Sequence, residues 1–180
     1  MKIKIAIAGY GVVGKLRHKS INKIKDFELI AICDKKFKKK GVLSNGIKYF
    51  RNYKELLELD IDAIIICLTN DIAAQATLDS LKKNKHVFCE KPPGIRLKEI
   101  FNIYKYLKKN KKLKLMYGFN HRHHQSIQDA LDLVNSQKYG KIINMRAVYG
   151  KSNIITFNQS DWRTKRKIAG GGILLDQGIH

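Results

Sequence analysis

Short apolar runs alternate along this chain with longer amphipathic ones, and that alternation predicts a parallel α/β sheet. Ile3 to Ala8 reads as a first strand and Gly14 to Lys25 as a helix. Phe27 to Cys33 (FELIAIC) is apolar almost throughout, as a parallel strand covered on both faces should be. A short strand at Ile47 to Phe50 leads into a helix over Tyr53 to Leu57. Ile61 to Leu68 (IDAIIICL) is the next buried strand, followed by helical spacing from Ile72 to Lys83. A strand at His86 to Cys89, a helix at Leu97 to Lys109 and a final apolar run at Leu113 to Phe119 close the series. The expected fold is α/β, a doubly wound parallel sheet over residues 1–120.

Residues 121–180 differ in character. Ile127 to Val134 is an amphipathic helix, and Lys141 to Tyr149 (KIINMRAVY) is a strand with partial alternation. A polar loop follows, then Gly170-Gly171-Gly172 and an apolar segment that reads as a helix and runs to His180 without a stop signal. One strand and two helices cannot bury a core of their own, so 121–180 is expected to be the incomplete start of an α+β substrate domain.

The 180 residues are 44 % hydrophobic and 9 % aromatic, a globular and not a disordered composition. The formal charge of +21 raises the question of a nucleic-acid or anionic-membrane surface. The lysines are spread along loops and helix faces, however, and the one local cluster, Lys35, Lys36, Lys38, Lys39 and Lys40, is interleaved only with Phe37. Nucleic acid is therefore not the expected partner, and the charge serves instead to draw anionic ligands toward a cleft. No apolar run approaches a membrane span. The basic, apolar N-terminus runs directly into a glycine loop, unlike a signal peptide. Cys33, Cys67 and Cys89 lie in or beside apolar runs and read as small core residues. A reduced, cytoplasmic protein is expected.

Gly9, Gly11 and Gly14 form G-x-G-x-x-G (Gly9-Tyr10-Gly11-Val12-Val13-Gly14) between a buried strand and a helix, the context that makes this spacing a Rossmann dinucleotide loop. Gly9 permits the tight turn, Gly11 lets the backbone approach a pyrophosphate, and Gly14 lets helix and sheet pack closely. Asp34, at the end of the second strand, is placed to bond the adenosine ribose hydroxyls. Its charge favours NAD, while Lys35 and Lys36 leave NADP open. Glu90-Lys91-Pro92 stands at the carboxyl end of a strand, where ligands of such sheets bind. Lys91 there could stabilise a developing alkoxide. Asp176 and His180, spaced i, i+4, would share a helix face, and His180 is suited to proton transfer near neutral pH. His121, His123 and His124, with Arg122 among them, read as a polar surface between domains, because no acid or cysteine accompanies them at metal-ligand spacing.

Taken together, AGYGVVG with Asp34, KKNKHVFCEKPPG, LMYGFNHRHH and WRTKRKIAGGGILLDQGIH resemble the glucose-fructose oxidoreductase / inositol dehydrogenase (Gfo/Idh/MocA) family. The resemblance implies hydride transfer between a nicotinamide and a sugar, nucleotide-sugar or polyol hydroxyl. It implies His180 as general acid/base, Asp176 as its aid and a substrate ligand, and Lys91 as support for the reacting oxygen, with a Lys91–Pro92 peptide that is often cis. By the same resemblance Asn120 lies near the nicotinamide, and Arg122, Trp162 and Arg163 lie near the substrate. The family's Thr-Pro-x-x-x-His is replaced here by Thr69-Asn70-Asp71-Ile72-Ala73; Thr69 and Asn70 can still line the cofactor cleft. Family members continue into a large sheet that completes the pocket and the subunit interface, so a homo-oligomer is implied for a full-length form. The alternatives are a catalytically silent dinucleotide-binding module and a basic nucleic-acid-associated protein.

Overall fold

The computed structural model describes residues 1–150 and 161–180. Its strands are β1 (Ile3–Ala8), β2 (Phe27–Cys33), β3 (Gly41–Val42), β4 (Lys48–Phe50), β5 (Ala63–Ile66), β6 (His86–Cys89) and β7 (Leu115–Tyr117). They form one sheet in the order β3-β4-β2-β1-β5-β6-β7. Every pairing is parallel except β3 with β4. The helices are α1 (Val12–Ile21), α2 (Tyr53–Leu57), α3 (Asn70–Lys82), α4 (Leu97–Lys109), α5 (Gln125–Asn135) and α6 (Arg166–Ala169). From β1 the chain first builds toward β2 and then returns to β5 on the other flank, so a topological switch lies between β1 and β5. In such sheets that is where ligands bind.

Alternation along β1 divides the core in two. Ile5 and Ile7 join Ile21, Leu29, Ile32 and Ile47 on the face covered by α1. Ala6 and Ala8 face the opposite way, toward Leu56, Ala73, Ala74, Ala76 and Leu81 of α2 and α3. Alanines on both sides of that contact let α3 lie close to the strands. Each fully buried Ile or Leu adds about 1.5–3 kcal/mol of transfer free energy, so the many here outweigh any single surface contact. Helix α2 is only a turn and a half long and is held by its cap: Asn52 Oδ1 accepts the Lys54 amide (3.0 Å) and Glu55 accepts the Asn52 amide (3.3 Å). Cys33 and Cys89 are buried and all three cysteines are free thiols. Burial pushes the Cys33 and Cys89 thiols up to about 12.

The structure departs from the expected elements at three places. Edge strand β3 was not expected; at two residues it exists because β4 offers it hydrogen bonds, and Gly41 fits there because a side chain would strike the Tyr49 ring. The strand expected over Lys141 to Tyr149 does not form among the described residues. Its Ile142, Ile143, Met145 and Val148 are exposed, and no described strand lies beside it to complete a ladder. The polar loop expected after Tyr149 falls largely at 151–160, outside the described residues. Third, the segment from Leu174 to Gly178 winds as a π-helix. Helix α5 is amphipathic as expected, yet it buries none of its residues, and Ile127, Leu131 and Val134 remain exposed.

The tightest packing is at the strand-to-helix turn. A Cβ on Gly14 would lie 2.1 Å from the Gly9 carbonyl oxygen. A Cβ on Gly9, whose φ is +92°, would lie 2.4 Å from the Cys67 carbonyl oxygen. We expect Gly9→Ala and Gly14→Ala each to destabilise the chain by about 3 kcal/mol or more. Urea unfolding followed by circular dichroism measures this, and a loss under about 1 kcal/mol would contradict the packing.

Candidate active site

The site grows out of the carboxyl ends of β1, β2, β5 and β6. After Ala8 the chain turns at Gly9, whose amide donates to the Cys33 carbonyl (2.9 Å), and α1 begins within the glycine loop with Gly11 as its cap. A Cβ on Gly11 would meet nothing within 4 Å. Gly9 and Gly14 are thus required by the fold, while the space above Gly11 is left for a ligand. The amino end of α1 presents its free N–H groups to that space, as an anion requires.

Two clefts flank the loop and share Gly11, Cys67, Leu68, Thr69 and Trp162 as walls. One, of about 460 Å³, holds Asp34, Lys35, Lys36 and Arg51 beside Tyr53 and Ile72. Asp34 staples this end together. Its Oδ2 accepts the Tyr10 amide and its Oδ1 the Lys36 amide, both at 3.0 Å. Tyr10 itself turns to α1, where its hydroxyl is 2.6 Å from His18 Nδ1. Burial raises the Tyr10 pKa and lowers that of His18, so both favour the neutral state.

The other cleft, of about 270 Å³, runs from Val12, Val13 and Gly14 past Asn70, Glu90 and Lys91 to Arg163 and Asp176. Asn70 is buried, and its side-chain amide donates to the Ala169 carbonyl (2.8 Å), tying α3 to the glycine run. Glu90 is paired with Arg17 of α1, whose Nε lies 2.6 Å from Glu90 Oε1 and whose guanidinium covers the Phe88 ring. Gly118 makes room for that carboxylate, since a Cβ there would lie 2.8 Å from Glu90 Oε2.

The Lys91–Pro92 peptide is cis. Lys91 Nζ donates to both the backbone carbonyl (2.5 Å) and the carboxylate (3.0 Å) of Asp176. In an α-helix the Asp176 carbonyl would accept the His180 amide; here Lys91 takes that carbonyl, and the His180 amide donates to Gln177 instead (3.2 Å). The expectation of an α-helical i, i+4 face for Asp176 and His180 is corrected: Leu174–Gly178 winds as a π-helix, and the Asp176 carbonyl accepts from Lys91. Arg163 stacks its guanidinium over Trp162 (4.5 Å) and reaches within 3.9 Å of Asp176 Oδ2. Burial would push the Asp176 carboxyl up. Hydrogen bonds from Lys91 and Gln177, with the Lys91 and Arg163 charges, outweigh burial and hold it below the ordinary carboxylate value.

Not every expected residue lines a described cleft. Asn120 and Arg122 sit on the 3₁₀ turn Asn120–His123, outside both. His180 lies beyond the π-turn, with its ring against His121 and Tyr149. Sequence reasoning missed Cys67 and Leu68 on the shared wall, Arg51 at the Asp34 end, and the Arg17–Glu90 pair. The position of Cys67 at the carboxyl end of a central strand was a usable signal. Nothing local marked Arg17 or Arg51.

The sequence matches the model of an oxidoreductase family with an NAD-binding Rossmann fold over residues 3–119, and that of the GFO/IDH/MocA C-terminal domain over 127–180. The chain belongs to the GFO/IDH/MocA family. It is 28 % identical to glucose-6-phosphate 3-dehydrogenase of Bacillus subtilis over 98 % of this chain and 51 % of that protein. The chain spans about half the length of the curated relatives it matches. Among solved structures, a scyllo-inositol dehydrogenase from Lactobacillus casei with bound NAD(H) and scyllo-inositol aligns with a TM-score of 0.68 and 29 % identity, covering 78 % of this chain and 43 % of that one. An NAD-binding protein from Listeria innocua shares the fold across 100 % of this chain and 52 % of its own, with a TM-score of 0.73 and 22 % identity.

Two outcomes follow from the geometry. Gly11→Ala should unfold within about 0.5 kcal/mol of the parent, because its Cβ touches nothing, yet weaken NADH binding at least about tenfold by occupying the ligand's approach. Urea titration and NADH fluorescence check the two halves, and equal losses in both would contradict the assignment. Lys91→Met should be less stable than the parent at pH 7. Asp176 has a depressed folded pKa, so its stabilisation is present above the unfolded value near 4 and is lost as pH falls through the folded one. The stability gap between the two proteins should therefore narrow as pH falls below about 4. A gap independent of pH would place the lysine's contribution elsewhere.

Proposed function

We propose that this chain is the cofactor-binding part of an NAD-dependent oxidoreductase acting on a sugar, nucleotide-sugar or polyol hydroxyl, with NADP an open second cofactor. The observation that carries the reading is the Lys91–Asp176 pair. It draws the end of β6 and the segment after the glycine run to one wall of the cleft that Gly11, Val12 and Val13 line. Residues 1–120 form the dinucleotide-binding unit in this reading, and 121–180 begin the substrate unit.

The open surface above Gly11 and the free amides of α1 fit a pyrophosphate; Asp34, Lys35 and Thr69 border the adenosine side, with the Tyr10 amide bonded to Asp34 and Asn70 on the neighbouring cleft. When bound, the nicotinamide supplies the hydride acceptor or donor. Glu90 lines the cleft that would take that end, and Asn120 stands on the turn outside it. Lys91 supports the reacting oxygen as charge builds there. Asp176 holds the Lys91 ammonium in place and contacts substrate hydroxyls, and His180 takes or returns the hydroxyl proton. Arg122, Trp162 and Arg163 orient the substrate. The basic surface favours an anionic substrate. No described helix is long and apolar enough to cross a membrane; a cytoplasmic enzyme and, for a full-length form, a homo-oligomer are proposed.

Fluorescence titration should give saturable NADH binding. No response to NADH or NADPH in a folded sample would sink the proposal. Lys91→Ala and His180→Ala should each lower kcat on a sugar and polyol panel by about 10²-fold or more, with NADH affinity changed less than about threefold. Cofactor binding without turnover by the parent would select the alternative, a silent dinucleotide-binding module.

A further inference from the structure

Arg17 lines neither described cleft, yet it grips the strand end that walls one of them. It stands on α1, three residues past Gly14. Its Nε donates to Glu90 Oε1 (2.6 Å), and its Nη2 donates to the same oxygen. The guanidinium also lies over the Phe88 ring of β6, 4.9 Å from its centre. The helix that carries the glycine loop is thus fastened to the end of β6 at two residues. Glu90 is held from other sides as well. Its amide donates to the Ile66 carbonyl (2.8 Å), and its Oε2 lies where Gly118 leaves space, since a Cβ there would be 2.8 Å away. Lys91, the next residue, turns instead to Asp176.

The charged walls of this cleft are Glu90, Lys91, Arg163 and Asp176. Lys91 and Arg163 both engage Asp176, and Arg17 is the cation paired with Glu90. Cys67, on the wall between the two clefts, feels both members of that pair. Burial raises its thiol pKa, the Glu90 charge adds to the rise, and the Arg17 charge opposes it. We infer that Arg17 is a positioning residue for the dinucleotide: it holds the Glu90 carboxylate against α1 and offsets its charge, so that the cleft between the glycine loop and Lys91 accepts an anionic cofactor. The inference rests on the reading of that cleft as the dinucleotide's. Without the guanidinium, an unpaired carboxylate would face a pyrophosphate in a partly buried site. One uncompensated charge beside such an anion weakens binding about tenfold or more. Arginine suits the place because its fork brings two donors to one oxygen while its flat face covers Phe88.

The test is NADH fluorescence titration at about 0.05 M and about 0.5 M NaCl, with circular dichroism to establish folding. The samples are the parent, Arg17→Met, Arg17→Gln and the double variant Arg17→Met/Glu90→Gln. At low salt Arg17→Met should weaken NADH binding about tenfold or more. Arg17→Gln should show the same loss, and it supplies the comparison if the Met variant does not fold. The loss should shrink at least about twofold at the higher salt, because the freed Glu90 charge is then screened. The double variant should regain at least about threefold of the lost affinity, since neither charge remains. A pair that merely braces the fold would give a loss independent of salt and no gain in the double variant. The inference is overturned if the folded Arg17 variants bind NADH within about twofold of the parent at low salt, if their loss is the same at both salt concentrations, or if the double variant binds no better than the single ones. Any of these with normal NADH binding by the parent overturns this inference alone. A folded parent that binds neither NADH nor NADPH overturns the dinucleotide reading and this inference with it.

Discussion

At the carboxyl ends of the central strands, three stretches of backbone crowd one another. Gly9 turns with φ +92° against the Cys67 carbonyl, and Gly14 lies against the Gly9 carbonyl. Side chains are excluded from both positions by distances no real Cβ tolerates, so β1, β5 and α1 can approach only where glycine stands. The rest of the site depends on this contact. It brings the amino end of α1 to the switch point, leaves open space above Gly11, and sets Asp34 where it can grip the Tyr10 amide. The glycine spacing therefore serves two purposes that the structure separates. Two glycines let the fold close, and one leaves room for a ligand.

A second junction joins the sheet to the later residues. Lys91 donates to the Asp176 carbonyl as well as to its carboxylate, and the carbonyl bond is the more telling. The segment that carries Asp176 winds as a π-turn, a form that recurs at functional sites. Beyond the turn, His180 lies against His121. Asn70, bonded to the Ala169 carbonyl, anchors the glycine run at a neighbouring point. Two polar contacts thus place the segment that carries Asp176 and His180, and both come from β6 and α3, the part of the sheet beside the cofactor cleft.

The large positive charge has less bearing on the fold than its size implies. The ion pairs that matter are few and partly buried: Arg17 with Glu90, and Lys91 with Asp176. The exposed pairs, such as Lys83 with Glu58, contribute little. Elsewhere lysine occupies solvated positions, and its collective field acts on ligands more than on stability.

The residues that could be read correctly in advance share one property: their constraint is local. FELIAIC and HVFC are strands because they are apolar on both sides, and β2 and β6 match the expected spans residue for residue. G-x-G-x-x-G is legible because a sharp strand-to-helix turn admits no side chain at two fixed positions. Where the reading failed or was silent, the cause was a neighbour distant in the chain. β3 exists only because β4 lies beside it, and Lys141 to Tyr149 has the alternation of a strand but no described partner. Nothing near Asp176 announces its bonds to Lys91, and nothing near His121 announces His180. The sequence by itself determined the fold class, the glycine loop and the residue types at the site, because period and backbone freedom are written locally. Tertiary structure alone decided which glycine serves the ligand, how Asp176 and His180 are presented and what stacks on the proposed base, because each of these is a contact between segments that only folding brings together.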